Sequence, residues 1–142
     1  MRIKRLEHYN IRTTRFEETV KFYDDILGMK CKRAPMASEG MPPTWIYDDS
    51  GIPVVHLTPV DPKDPHGSYS KMAQYRGVDP DAAFQGSGAI DHVAFECEGF
   101  DEMLGRLEAK NLVFAKNEFP NFNLRQIFVR DPNGVTLELN FR

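Results

Sequence analysis

EHYNIRTTRFEETV, residues 7–20, and DHVAFECEGFDEML, residues 91–104, align without a gap. Glu7 meets Asp91, His8 meets His92, Phe16 meets Phe100, Glu17 meets Asp101 and Glu18 meets Glu102, at an offset of 84 residues (7 to 91). Further along, VVHLTP (54–59) lies over TLELNF (136–141). There Val55 meets Leu137, His56 meets Glu138 and Leu57 meets Leu139, at an offset of 82 (56 to 138). The same order of features occurs twice, with two residues fewer in the second copy, so the chain reads as an internal repeat.

Each copy has the same local grammar. The first opens with an alternating stretch at 3–12 that predicts a strand. Thr14 and Glu17 match a capping box that would start a helix. Phe16, Val20, Tyr23 and Leu27 recur at helical spacing and predict its apolar face. Gly28 stands where a left-handed residue ends a helix. Strands are expected at 29–33, 44–48 and 53–59, separated by Gly40 with Pro42 and Pro43, and by Ser50-Gly51. The second copy predicts a strand at 89–97, a helix presenting Phe100, Met103, Leu104 and Leu107, and a stop at Asn111. Strands at 112–116, 124–130 and 135–141 follow. Asp131-Pro132-Asn133-Gly134 divides the last two, and its Asn-Gly pair is a hairpin signal. The expected fold is therefore α+β, two tandem βαβββ modules at about 1–60 and 89–142, within a single domain.

Residues 61–88 form a long connection rich in Pro, Asp and Gly, with Tyr69, Met72, Tyr75 and Phe84 inside it. A connection of this length is usually functional or disordered. An ordered lid or a subunit-contact segment is expected, with a mobile linker as the alternative. The chain has 142 residues, enough for a core without staples. Its formal net charge of −3 and lack of a basic patch point away from nucleic acid and membrane surfaces. Cys31 and Cys97 make no disulfide framework, and the first residues carry no apolar signal core. A cytoplasmic location is the expectation.

Strand alternation places the polar residues. His8, Asn10 and Arg12 share one face of the first strand. His56 lies between Val55 and Leu57, His92 opposes Val93, and Glu138 lies between Leu137 and Leu139. The apolar sets suit packing against the helices, which leaves the His and Glu sets on the other face of each sheet. A lone strand His is more often hydrogen-bonded than a ligand, but here the repeat matches His8 with His92 and His56 with Glu138. Two imidazoles and a carboxylate suit Fe, Mn, Co, Ni or Zn. His8, His92 and Glu138 are the expected metal ligands. His56 is expected to be a catalytic base or a fourth ligand, and His66 a solvated residue.

These stretches resemble the vicinal oxygen chelate superfamily, which includes glyoxalase I, methylmalonyl-CoA epimerase, fosfomycin-resistance enzymes, bleomycin-resistance proteins and extradiol dioxygenases. The resemblance rests on HYNIRT…FYDDILGM (8–29), GSGAIDHVAFEC (86–97) and FVRDPNGVTLEL (128–139). It implies paired βαβββ modules forming a cup around a divalent metal, with ligands at His8, His92 and Glu138. At the position of His56, glyoxalase I carries a carboxylate, the epimerases Gln, and ring-cleaving dioxygenases a non-ligand catalytic His. The dioxygenase signature expects a Tyr where this chain has Phe128, and a His near Phe119, Pro120 and Asn121.

The leading expectation is a metal-dependent lyase or isomerase of glyoxalase type acting on a small molecule, with His56 moving a proton. An Fe(II)-dependent ring-cleaving dioxygenase and a non-catalytic binding or resistance protein are the alternatives. Asn10, Arg12 and Arg125 are the candidate substrate contacts. Trp45 and Tyr47 either line the site or pack. Family resemblance further implies a homodimer.

Overall fold

Parallel pairing of the first and last strands organises both halves of the chain. The structure is a computed structural model and describes residues 1, 6–35, 42, 44–68, 70, 86 and 92–142. The chain divides into two compact units, Met1–Phe84 and Gln85–Arg142. In the first, β1 (Tyr9–Thr13), α1 (Phe16–Lys21), β2 (Lys30–Lys32), β3 (Trp45–Tyr47) and β4 (Pro53–Pro59) give a sheet of order β1-β4-β3-β2. In the second, β5 (Val93–Cys97), α2 (Phe100–Ala109), β6 (Phe114–Phe119), β7 (Leu124–Arg130) and β8 (Thr136–Phe141) give the order β5-β8-β7-β6. Each unit is a βαβββ module with one parallel pair and two antiparallel pairs.

Ladder registers reproduce the repeat. Tyr9 pairs with Val55 and Asn10 with His56. Val93 pairs with Leu137 and Ala94 with Glu138. Offsets of 84 and 82 thus describe equivalent places in two sheets.

Apolar residues of the alternating strands form one buried face in each unit. Ile11, Ile46, Val55 and Leu57 are buried in the first, and Ile127, Val129, Leu137, Leu139 and Phe141 in the second. In the first unit Tyr23, fully buried in the turn that follows α1, reaches β1 through its hydroxyl, 3.0 Å from that of Tyr9. In the second, Phe100 of α2 meets Phe141 edge-on at 5.3 Å. Burial of such side chains contributes about 1.5–3 kcal/mol each.

Two local expectations are corrected. Thr14 and Glu17 do not form a capping box: the N-cap of α1 is Arg15, with no side-chain cap. Thr13 takes the turn-forming part, its hydroxyl accepting the Arg15 N–H at 2.9 Å, as Ser and Thr do in local turns. The α1 face also differs, because Phe22–Ile26 winds as a π-helical turn in which Leu27 N–H donates to Phe22 O. The wider turn rotates the stripe, so Thr19, Phe22, Tyr23 and Ile26 are buried while Phe16, Val20 and Leu27 are half-buried. The hairpin expected between β7 and β8 is present, the two strands pairing antiparallel. Gly134 N–H donates to Asp131 O, Pro132 takes the second position, and only Gly134 is left-handed (φ 80°). That is a type I turn followed by a left-handed glycine. Asp131 Oδ1 accepts from the N–H groups of Asn133 and Val135.

Gly28 (φ 71°) and Asn111 (φ 52°) both end their helices in the left-handed region. After Asn111, Leu112 N–H reaches Leu107 O at 3.0 Å, the six-to-one bond of a Schellman cap. After Gly28, Met29 N–H reaches back one residue further, to Tyr23 O, because the π turn inserts a residue. The expectations for residues 3–5 and 89–91, and for Tyr69, Met72, Tyr75 and Phe84 of the connection, lie outside the described residues. Among the described residues, no helix is long and apolar enough to cross a membrane.

Candidate functional site

In the first unit, three rings gather on the face of the sheet opposite the core. His56 is on β4, which has β1 on one side and β3 on the other. The His8 ring, just before β1, stacks on His56 with centroids 3.8 Å apart and planes 18° from parallel. Trp45 of β3 pairs in register with His56 and stacks on it at 4.6 Å and 11°. Since His8 leads into β1 and Trp45 lies on β3, the strands on the two sides of β4, His56 is held between them. Its Nε2 is shut off from solvent. His8 is 35% exposed, with Nδ1 3.6 Å from Glu7 Oε2. On the same face, Thr58 donates its hydroxyl to Asn10 Oδ1 at 3.0 Å, and Arg12 is half-buried in register with Thr58. Lys32 carries its ammonium 4.9 Å over the Tyr47 ring.

In the second unit, the carboxylate of Glu138 is the centre. Its Oε2 lies 2.9 Å from His92 Nε2, and its side chain is only 12% exposed against 37% for His92. Its Oε1 accepts from Gln126 Nε2 at 2.8 Å. Gln126 Nε2 also donates to Asn140 Oδ1 at 2.9 Å. Phe128 pairs in register with Glu138 and meets the His92 ring edge-on at 6.0 Å and 88°. Sequence reading missed Gln126. Its signal was present: it alternates with Ile127 and Val129, so it belongs to the face that carries Glu138.

Each unit thus joins its own share of the expected set, His8 with His56 and His92 with Glu138. Arg125 is placed elsewhere. It pairs with Phe141 and shares the core face with Ile127. Its guanidinium lies 4.2 Å over the Phe100 ring and 3.8 Å from Asp101. Arg125 therefore clamps β7 to α2 on the face away from Glu138, and Arg130 is the arginine of β7 on the Glu138 face. His66 is exposed. Both thiols are poor nucleophiles: burial, with Asp24 adding to it, pushes Cys31 up to about 11, and burial also raises Cys97.

The donors can be tested for fit to a metal. No cluster of three or more His, Cys, Asp or Glu side chains stands in position for a metal among the described residues. His92 and Glu138 do come close. At 2.9 Å the two side chains are within hydrogen-bond distance of each other, and the same closeness puts an imidazole nitrogen and a carboxylate oxygen side by side. The chemistry of the donors, imidazoles and a carboxylate, suits borderline divalent ions.

A family model described as the Glyoxalase/Bleomycin resistance protein/Dioxygenase superfamily matches residues 5–139. No curated protein matches the chain in sequence. Among solved structures, the chain is similar to a glyoxalase-family protein from Bacillus anthracis, with 18% identity, a TM-score of 0.66, and 100% and 98% of the two chains covered. It is similar to lactoylglutathione lyase from Agrobacterium tumefaciens, with 18% identity, a TM-score of 0.59, and 94% and 91% covered. An antibiotic-binding protein from a Streptomyces species is similar at 15% identity, with a TM-score of 0.59 and 99% and 98% covered. At these identities the likeness establishes the fold and leaves the reaction open. With the paired βαβββ sheets and the family match over nearly its whole length, the chain belongs to the glyoxalase/bleomycin resistance protein/dioxygenase superfamily.

Proposed function

We propose that this protein is a divalent-metal-dependent enzyme of glyoxalase type, catalysing proton transfer in a small substrate with neighbouring oxygens. His8, His92 and Glu138 are the ligands in this account, and His56 is the proton-transfer residue. The observation that carries it is the 2.9 Å approach of His92 Nε2 to Glu138 Oε2, at a place equivalent to that of His56 in the other sheet.

A divalent cation held by those donors would supply Lewis acidity to a substrate oxygen that gains charge on proton removal. The chain's own groups do the rest. Glu138 is mostly buried and held on its second oxygen by Gln126, so it is oriented before any ligand arrives. His56 is the proton carrier in this account because an imidazole ring offers nitrogens that can accept or donate a proton. His8 and Trp45 cover its two faces, so a substrate can meet this ring only at its edge. Asn10 and Arg12 lie on the same face and supply polar contacts for substrate oxygens.

Two imidazoles and a carboxylate are also the donor set of Fe(II) oxygenases. Phe128 favours the proton-transfer reading. It stands beside Glu138 and against His92, and a phenyl ring has no hydroxyl to donate to a bound catecholate. The neighbour that binds an antibiotic makes simple ligand binding the third possibility.

The test is exchange of substrate α-protons with deuterated water, followed by NMR over panels of oxo and hydroxy acids with metal-restored protein. Exchange that needs the metal and continues without oxygen is expected. Absence of exchange, with oxygen uptake on catechols, overturns the assignment in favour of an oxygenase.

A further inference from the structure

We propose that Gln126 is a positioning residue that sets the metal-binding orientation of the Glu138 carboxylate. This rests on the reading of Glu138 as a ligand and adds a residue to it.

Gln126 lies on β7, directly opposite Asn140 of β8 and diagonal to Glu138. Its Nε2 carries two hydrogens, and the two acceptors are Glu138 Oε1 at 2.8 Å and Asn140 Oδ1 at 2.9 Å. An ionised carboxylate can only accept, so the amide must turn its nitrogen, not its oxygen, toward Glu138. Asn140 completes the clip by occupying the other hydrogen. The carboxylate is then held at Oε1, while Oε2 is presented beside His92 Nε2. A carboxylate that is 12% exposed and bonded at both oxygens has little freedom to rotate. Outer groups that orient a ligand in this way contribute strongly to metal affinity.

Gln126→Met keeps the length and shape of the side chain and removes the donor. Cobalt(II) binding to metal-stripped protein, by calorimetry and by the visible spectrum of the loaded protein, provides two readouts that need no substrate. Expected is a loss of affinity of about 10–100-fold and a changed cobalt spectrum, with the unfolding midpoint in urea retained. Gln126→Asn, which withdraws the amide by one methylene, is expected to show the same loss and serves if the Met variant folds poorly. Wild-type affinity and spectrum in both variants overturn the role of Gln126 while leaving Glu138 as ligand. Cobalt binding that is indifferent to Glu138→Ala as well overturns the ligand reading itself, and Gln126 with it.

Discussion

His56 and Glu138 occupy the same register position in their two sheets. His56 pairs with Asn10 of β1 on one side and Trp45 of β3 on the other. Glu138 pairs with Ala94 of β5 and Phe128 of β7. Each row continues to the outer strand, at Lys32 and at Ala115. One position therefore presents an imidazole between two rings in the first unit and a carboxylate held by a carboxamide in the second. The first position holds the proposed proton-transfer residue and the second the proposed carboxylate ligand.

Loss of proton transfer is the expected result of His56→Ala. Removing a positioned acid–base group typically lowers rate by about 10²–10⁴-fold. Calorimetry should still detect divalent metal, because the proposed ligands His8, His92 and Glu138 remain. A variant that keeps the α-proton exchange rate removes His56 from the mechanism.

Trp45→Ala uncovers one face of His56. An aromatic pair contributes about 0.5–1.5 kcal/mol beyond area burial, so a modest fall in urea stability is expected. The sharper effect is kinetic. A less constrained imidazole should lower kcat with KM little changed, and Trp45→Phe should restore most of it. A change confined to KM would instead make Trp45 a substrate contact.

The thiols give a pH prediction. Cys31 is pushed up to about 11 from 9.0, so below that range its thiol stays protonated and its thiolate fraction near neutrality is about a hundredfold below that of an unperturbed thiol. Alkylation by iodoacetamide at pH 8 should be correspondingly slow and accelerate as pH rises toward 11. Cys31→Ser should leave any metal-dependent activity in place. Fast alkylation at pH 8 would show that Cys31 is not buried as described.

Much of this architecture was legible because alternation and turn chemistry are local. The bounds of β4 and β7, the glycine stop at Gly28 and the asparagine stop at Asn111 follow from residues within a few positions of each other. The start of α1 was not legible in the same way. Thr13 and Thr14 are both plausible turn formers, and the choice fell to Thr13, whose side chain is buried against Thr19. The π turn at Phe22–Ile26 leaves no periodic signature in so short a segment. Arg125 lies on the core side of β7, as its alternation with Ile127 and Val129 implies. A charged residue there depended on a ring, Phe100, from another element. Gln126 escaped notice because a positioning role is visible only when its two acceptors are.

Metal content is the most direct measure of the central claim. Elemental analysis of the protein as isolated, with His8→Ala and Glu138→Ala purified beside it, should find a stoichiometric first-row divalent ion in the wild type. Strong chelators should remove it, and both variants should be depleted. Wild-type protein that holds no such ion and fails to take one up, or variants that bind it as well as the wild type does, would contradict the account.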